Sequence, residues 1–414
     1  MGTWTFISAN RRFLAFGVLM SLFASFGQTY YIAMFSAEIR GVFDLSHGDF
    51  GEIYAYATLA SGTTLIWLGR KIDHIDLRIY SVAVCAGLVA ACLMMSQVSS
   101  VIMLGLAIFT LRLFGQGLMS HTAATSMARY FHERRGMAIG LATTGHAAGE
   151  ALFPYMAVTL IAAIGWRETW LAVGLVLAVI LAPLILWSLK GHAERHRRHL
   201  EYMAALRGTA LNGTSTGAAR QWTHRDMLGD RRFYLLLPAV LAPSFIMTGL
   251  FFHQVHLVAS KGWSLTLFAT GFVIYAGATV AGALGIGAII DRGGAGRLMH
   301  FHLSPLVAGL IVLAAFDAPA IMFIYLFLAG ISTGANFTVV GAVWAELYGV
   351  AHLGAIRALT SALMVFSTAL APVVMGRMID AGISMETIAA LSAIYAVVGM
   401  GLVAVAFRHR KAAP

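Results

Sequence analysis

The chain alternates long apolar blocks with short charged or polar punctuation. The blocks fall at about 13–37, 50–69, 79–97, 101–125, 136–163, 166–189, 232–257, 264–290, 298–316, 319–345, 353–378 and 384–407. Each is close to the roughly 20 residues that a helix needs to cross ~30 Å of hydrocarbon, and only a helix satisfies its backbone groups within one such segment. The pattern predicts an all-α membrane protein of twelve transmembrane helices, with the split between the fifth and the sixth falling at Gly165, Trp166 and Arg167. An even number of crossings puts both termini on one side.

The twelve blocks are two sets of six. A single offset of 218 residues superposes Gly69 on Gly287, Asp73 on Asp291, Tyr130 on Tyr348, Gly136 on Gly354 and Pro154 on Pro372. Loop charges and helix-breaking residues that recur at one offset mark a parallel internal repeat. Residues 1–190 and 232–414 are therefore read as two six-helix bundles, joined by a polar linker over 191–231. The linker holds Arg195, His196, Arg197, Arg198 and His199, then a segment with Gly, Ser and Thr from Gly208 to Gly217. His192, His196 and His199 share roughly one helical face, but a charged extension of the sixth span accounts for them without a metal.

Composition agrees with the bilayer reading. Hydrophobic residues make up 59% of the 414 and charged ones 11%, with a mean hydropathy of +0.80; soluble domains carry about 25% charged residues. The net charge of +10 is spread over alternate loops rather than gathered on one soluble module, so no nucleic-acid partner is expected. Of 28 Lys and Arg, one side holds only Arg40, Arg167, Lys261 and Arg377, Arg112 lies within a span, and 23 fall on the other side. Basic loops stay in the cytoplasm, which predicts an inner-membrane protein with both termini cytoplasmic. Arg11 and Arg12 precede an apolar run too long for a signal-peptide core, so an uncleaved first helix is expected. Cys85 and Cys92 lie seven residues apart on one predicted helix, too far for a disulfide and without metal-ligand company.

Gly69-Arg-Lys-Ile-Asp73-His-Ile-Asp-Leu-Arg78 resembles the loop signature of the major facilitator superfamily, and Gly287-Ala-Ile-Ile-Asp291-Arg292-Gly293-Gly294-Ala-Gly296-Arg297 is its second copy. Both join the second to the third helix of their half, and the first departs from the signature at His74 and Asp76. The resemblance covers nearly the whole chain and implies the major facilitator fold. It also implies a gating role for Gly69, Asp73, Arg78, Gly287, Asp291, Arg292 and Arg297. The small Gly lets helices approach, while an Asp at a helix end accepts hydrogen bonds from backbone or Arg.

Tyr130-Phe131-His132-Glu133-Arg134-Arg135-Gly136-Met137-Ala138-Ile139-Gly140, followed by Gly145 and Gly149, resembles the start of the fifth helix in monocarboxylate and oxalate:formate porters. This implies a small, monocarboxylate-like anion moved with a proton. One feature departs from those porters: the eighth span has no central basic residue.

An ionisable group deep in the bilayer is costly and therefore a functional candidate. Arg112 lies about eleven residues, roughly 16 Å, into the fourth span, and Arg112-Leu-Phe-Gly115-Gln116-Gly117 partly resembles a fourth-helix motif of the superfamily. Its planar guanidinium suits a carboxylate. Glu150, with His146 one turn earlier, falls at similar depth on the fifth span. Glu150 is the expected proton-coupling residue and His146 an alternative that also binds substrate. Gln28, Tyr30 and Tyr31 on the first span, His253 on the seventh, Tyr275 on the eighth and Asn336 on the tenth are polar handles in apolar walls. Of these, Gln28, Tyr31, Tyr275 and Asn336 are taken as substrate contacts.

No phosphate-cradling Gly-Lys-Ser/Thr loop, His-Glu-x-x-His motif or Cys cluster is present, so neither an enzyme, a cofactor nor a metal is expected. The expected activity is secondary active transport of a small organic anion by proton symport and alternating access, with one chain sufficient. Proton-coupled efflux of an amphipathic compound is the alternative, and a non-transporting sensor or scaffold a remote one.

Overall fold

The computed structural model describes residues 3–131, 134–198, 201, 224–349 and 353–408, and the secondary structure among them is entirely helical. Among the described residues, ten helices are long and apolar enough to cross a membrane: Trp4–Gly27, Leu77–Ser96, Val101–Tyr130, Arg135–Ile164, Trp166–Ser188, Arg231–Phe252, Leu265–Gly287, Ala320–Tyr348, Ile356–Asp380 and Met385–Arg408. Two more occupy the remaining predicted positions. His47–Arg70 carries the second predicted span but is too polar to join that set. The ninth is the shorter Ser304–Ala315; it was expected from residue 298, but Pro305 near its first turn lacks the N–H needed for continuing a helix from upstream. Ala295–Leu298 forms a separate turn of helix.

The fifth and sixth helices part where expected. Gly165 sits at φ +91, a left-handed conformation that an L side chain rarely adopts, and the chain turns there between Ile164 and Trp166. Two features were not expected. The first span is discontinuous: Thr3–Phe23 runs into a tight 3₁₀ turn, Ala24–Gly27, Gln28 is extended at φ −83 and ψ 152, and helix resumes at Thr29–Ile32. The fourth span widens into a π-helix over Leu111–Met119.

Two compact units divide the chain. The first comprises Met1–Ile32, Ala57–Gly149 and Thr159–Gly217; the second Ala33–Tyr56, Glu150–Val158 and Ala218–Pro414. In the first, the glycines of the fifth helix do two different things. A Cβ on Gly145 would lie 3.0 Å from Leu22 N, and one on Gly149 3.0 Å from Leu22 O, so these two let the first helix lie against the fifth. Gly136 and Gly140 have nothing within 4 Å of a built Cβ. In the second unit, the eighth and tenth helices meet along a similar seam, with Gly330 against Tyr275 O and Gly282 against Ile331 O. Large apolar side chains such as Ile102 (80% exposed) and Leu284 (72%) face outward, as they do when the solvent is lipid.

Candidate functional site

The break in the first span positions the candidate site of the first unit. In an unbroken helix Gly27 O would accept from Tyr31 N–H, but that N–H turns to Gln28 O at 3.2 Å. The freed carbonyl is bonded by Arg112, whose Nη1 donates to Gly27 O at 3.1 Å. Arg112 is 3% exposed. The approach is possible because glycines face each other: a Cβ on Gly115 would stand 2.7 Å from Gly27 Cα. The π-turn and the broken turn thus pack backbone to backbone, with a guanidinium satisfying what the break leaves open.

Directly after the break Tyr30 and Tyr31 are buried. The Tyr31 ring sits edge-on to Trp170 at 5.4 Å and to Phe26 at 4.9 Å, and Tyr30 faces the His146 ring at 6.5 Å. Gln28, Tyr31, Arg112 and His146 therefore belong to one unit, the first three gathered at the broken turn. Glu150, Tyr275 and Asn336 belong to the second. Glu150 is buried and interacts electrostatically with Tyr275, whose hydroxyl donates to Thr333 Oγ1 at 3.2 Å. Asn336, one turn beyond Thr333, is also buried, and its Oδ1 has no hydrogen-bond partner among the described residues.

The two loop signatures are built differently. In the first, Asp73 ends a 3₁₀ turn and forms an ion pair with Arg129, which also donates to Ile72 O at 3.0 Å. Gly69 O bonds His121 Nε2 at 3.2 Å. Arg78 turns to Asp76 at 3.1 Å, and that hydrogen bond is the main reason the Asp76 carboxyl sits below the usual carboxylate range. In the second copy Glu346 accepts from the backbone N–H of Ala295 (2.6 Å) and Gly296 (3.1 Å). Gly287 meets only Thr338, at 3.9 Å from a built Cβ, and Arg297 lies in the last turn of Ala295–Leu298. Asp291 and Arg292 lie on the eighth helix, with side chains outside the described structure, as are His132, Glu133, His199 and the segment Gly208 to Gly217.

Arg129, His121 and Glu346 were not singled out from the sequence; the signal available was a charged or ring-bearing residue near the end of the helix facing each loop. A second missed cluster belongs to the second unit. Asp380 accepts from His47 N (3.0 Å) and Gly48 N (2.8 Å), and Arg377 bridges Asp49 at 3.2 Å and Glu52. His253 Nε2 bonds Pro372 O at 3.0 Å. Among the described residues no group of three His, Cys, Asp or Glu is arranged to hold a metal.

The four basic residues on the Lys/Arg-poor side are all engaged. Arg40 interacts with Asp380, Arg167 donates to Val98 O at 2.7 Å, Lys261 pairs with Asp317 and Glu386, and Arg377 is bridged as above. The family profile of the major facilitator superfamily matches residues 17–319. The chain belongs to the major facilitator superfamily.

Among solved structures, this superfamily member is similar to a bacterial homologue of the human lysosomal transporter Spinster. The inward-facing, occupied form has a TM-score of 0.69 at 15% identity over 96% of this chain and 97% of that one. The unoccupied form has 0.65 at 14%, over 96% of each chain. At such identities the likeness is one of fold. No curated protein matches the sequence. Family and fold together make the chain an all-α, multi-pass membrane transporter of the major facilitator fold.

Proposed function

We propose that this transporter moves a small, monocarboxylate-like organic anion together with a proton. Its two halves, 1–190 and 232–414, alternate access across the linker 191–231, in the inner membrane, with both termini cytoplasmic and one chain sufficient. The observation that carries the reading is the buried Arg112 at the broken turn of the first span. The guanidinium is held at the break by its bond to Gly27 O, and its planar fork suits a carboxylate. Broken helices near the middle of the membrane are where transporters of several folds hold their solutes. Gln28, Tyr31 and His146 are further solute contacts of the first unit, and Tyr275 and Asn336 are solute contacts of the second. Glu150, a buried acid beside a tyrosine, takes the proton, with His146 the alternative carrier. Gly69, Asp73, Arg78, Gly287, Asp291, Arg292 and Arg297 gate the two loops.

The aromatic clusters around Tyr31 and around Tyr275, where Phe251 lies edge-on at 5.2 Å, favour a second reading, proton-coupled efflux of an amphipathic compound. Proteoliposomes separate the two. Uptake of a radiolabelled monocarboxylate, driven by an imposed pH gradient and abolished by a protonophore, is expected. Gradient-driven movement of a lipophilic cation without any carboxylate flux would replace the first reading with the second.

A further inference from the structure

Beyond the solute pathway, the end of the first unit where the Lys/Arg-rich linker begins holds a cavity with a cation that no carboxylate answers among the described residues. The sixth helix ends near Ser188, the chain turns at Gly191 (φ +82), and residues 192–198 are again helical. A cavity of about 340 Å³ opens there, lined among others by Tyr130, Phe131, Glu194, Arg195 and Arg198.

Its charges do not balance. Glu194 is engaged by Arg197 at 2.6 Å and by Arg198 at 2.9 Å. Arg195 has no carboxylate partner among the described residues, and its buried Nη1 has no acceptor. Its guanidinium carbon instead lies over the Phe13 ring, 4.1 Å from the centroid. Tyr130 OH is bonded to His196 Nδ1 at 3.0 Å, and burial lowers the His192 pKa to about 4, so that ring adds no charge near neutrality. A half-buried cation with a donor pointing at no acceptor is costly and calls for an anion.

The surroundings indicate which anion. Arg12 stacks over Trp187 at 5.4 Å. Trp187 is 43% exposed and Trp4 83%, and exposed indoles beside arginines are characteristic of the headgroup layer of a membrane. Phe13, Phe131 and Phe6, packed with ring centroids 5.2–5.7 Å apart, form an apolar floor beneath the cation. A phosphate whose ester carbons rest on aromatic rings fits this arrangement better than a fully hydrated ion.

We propose that this cavity seats the phosphate of an anionic phospholipid headgroup, with Arg195 as its principal ligand and Arg198 beside it, turning from Glu194. The test uses the full chain, delipidated in detergent and titrated with phosphatidylglycerol, phosphatidylcholine or inorganic phosphate, with bound lipid counted by native mass spectrometry. Phosphatidylglycerol is expected to be retained in preference to phosphatidylcholine. Arg195→Gln is expected to weaken that retention by about tenfold, the equivalent of one charge-assisted hydrogen bond, and Arg225→Gln, at an exposed arginine of the second unit, to leave it unchanged. Equal retention of the two lipids by the wild-type protein would overturn the proposal without any variant, as would undiminished retention in a folded Arg195→Gln. Displacement of phosphatidylglycerol by inorganic phosphate at similar concentration would reassign the site to a soluble phosphate compound.

Discussion

The His47 ring stands edge-on to the His256 ring at 4.4 Å, with His253 5.5 Å from His47 on its other contact. His47 lies three residues ahead of the predicted second span. Its pKa is lowered to about 3, mostly by burial, then by Arg40, His256 and His253, against the opposing pull of Asp380.

Because the folded value lies below the ordinary 6.5, this packing is at full strength above about pH 6.5 and weakens as pH falls toward 3. Thermal stability in detergent should therefore drop between pH 7.5 and 5, and His47→Gln should reduce the drop by on the order of 2–4 °C. Melting curves with identical pH dependence in both proteins would show that the penalty resides elsewhere in the cluster of Arg40, His253, His256, Arg377 and Asp380.

Arg112 is expected to be doubly sensitive. Arg112→Lys keeps a donor for Gly27 O but loses the planar fork, so the protein should fold while affinity for a carboxylate falls by roughly tenfold. Arg112→Ala leaves the carbonyl at the break unsatisfied and should cost about 1–3 kcal/mol of stability. Ligand titrations and denaturation of the two variants separate the roles; a folded lysine variant with unaltered affinity would remove Arg112 from the binding site.

Glu150→Gln should abolish uphill accumulation driven by a pH gradient and preserve substrate-for-substrate exchange in liposomes. A neutral amide cannot release a proton, yet the solute can still be carried both ways. An intact pH-driven gradient in this variant would move the proton to another group, with His146 next to be changed.

Asp73→Asn removes the charge from the pair with Arg129, while Arg129 keeps its bond to Ile72 O. The pair is partly exposed, so the expected change is on the order of 0.2–1 kcal/mol in conformational bias, with little effect on solute affinity. Spin-label distances across the membrane report the first and equilibrium binding the second; a changed affinity at unchanged bias would contradict a gating role.

Hydropathy made most of the fold legible, because residues facing lipid announce themselves whatever they pack against. It was weakest at His47–Arg70, whose Asp49, Glu52 and Arg70 dilute the signal, and at Ser304–Ala315, where Pro305 shortens the helix. The break at Gln28 could not be read. No proline marks it, and the carbonyl it frees is answered by Arg112, 85 positions away. The π-turn was equally hidden, since Gly115 and Gly117 read the same in an α-helix. Arg112 and Glu150 stood out from cost alone, whereas Arg129, Glu346, His47 and His256 are ordinary at their positions in the sequence and gain meaning only from partners distant along the chain.

The facing glycines at 27 and 115 have a mechanical consequence. With no side chain between them the two backbones touch directly, and the guanidinium bond joins them at the same spot. The first and fourth helices are thus clamped at one point, like two rods crossed at a rivet. Axial slippage of one helix past the other at this point would break the Arg112–Gly27 bond and leave a buried carbonyl unpaired, whereas rotation about the contact would keep it.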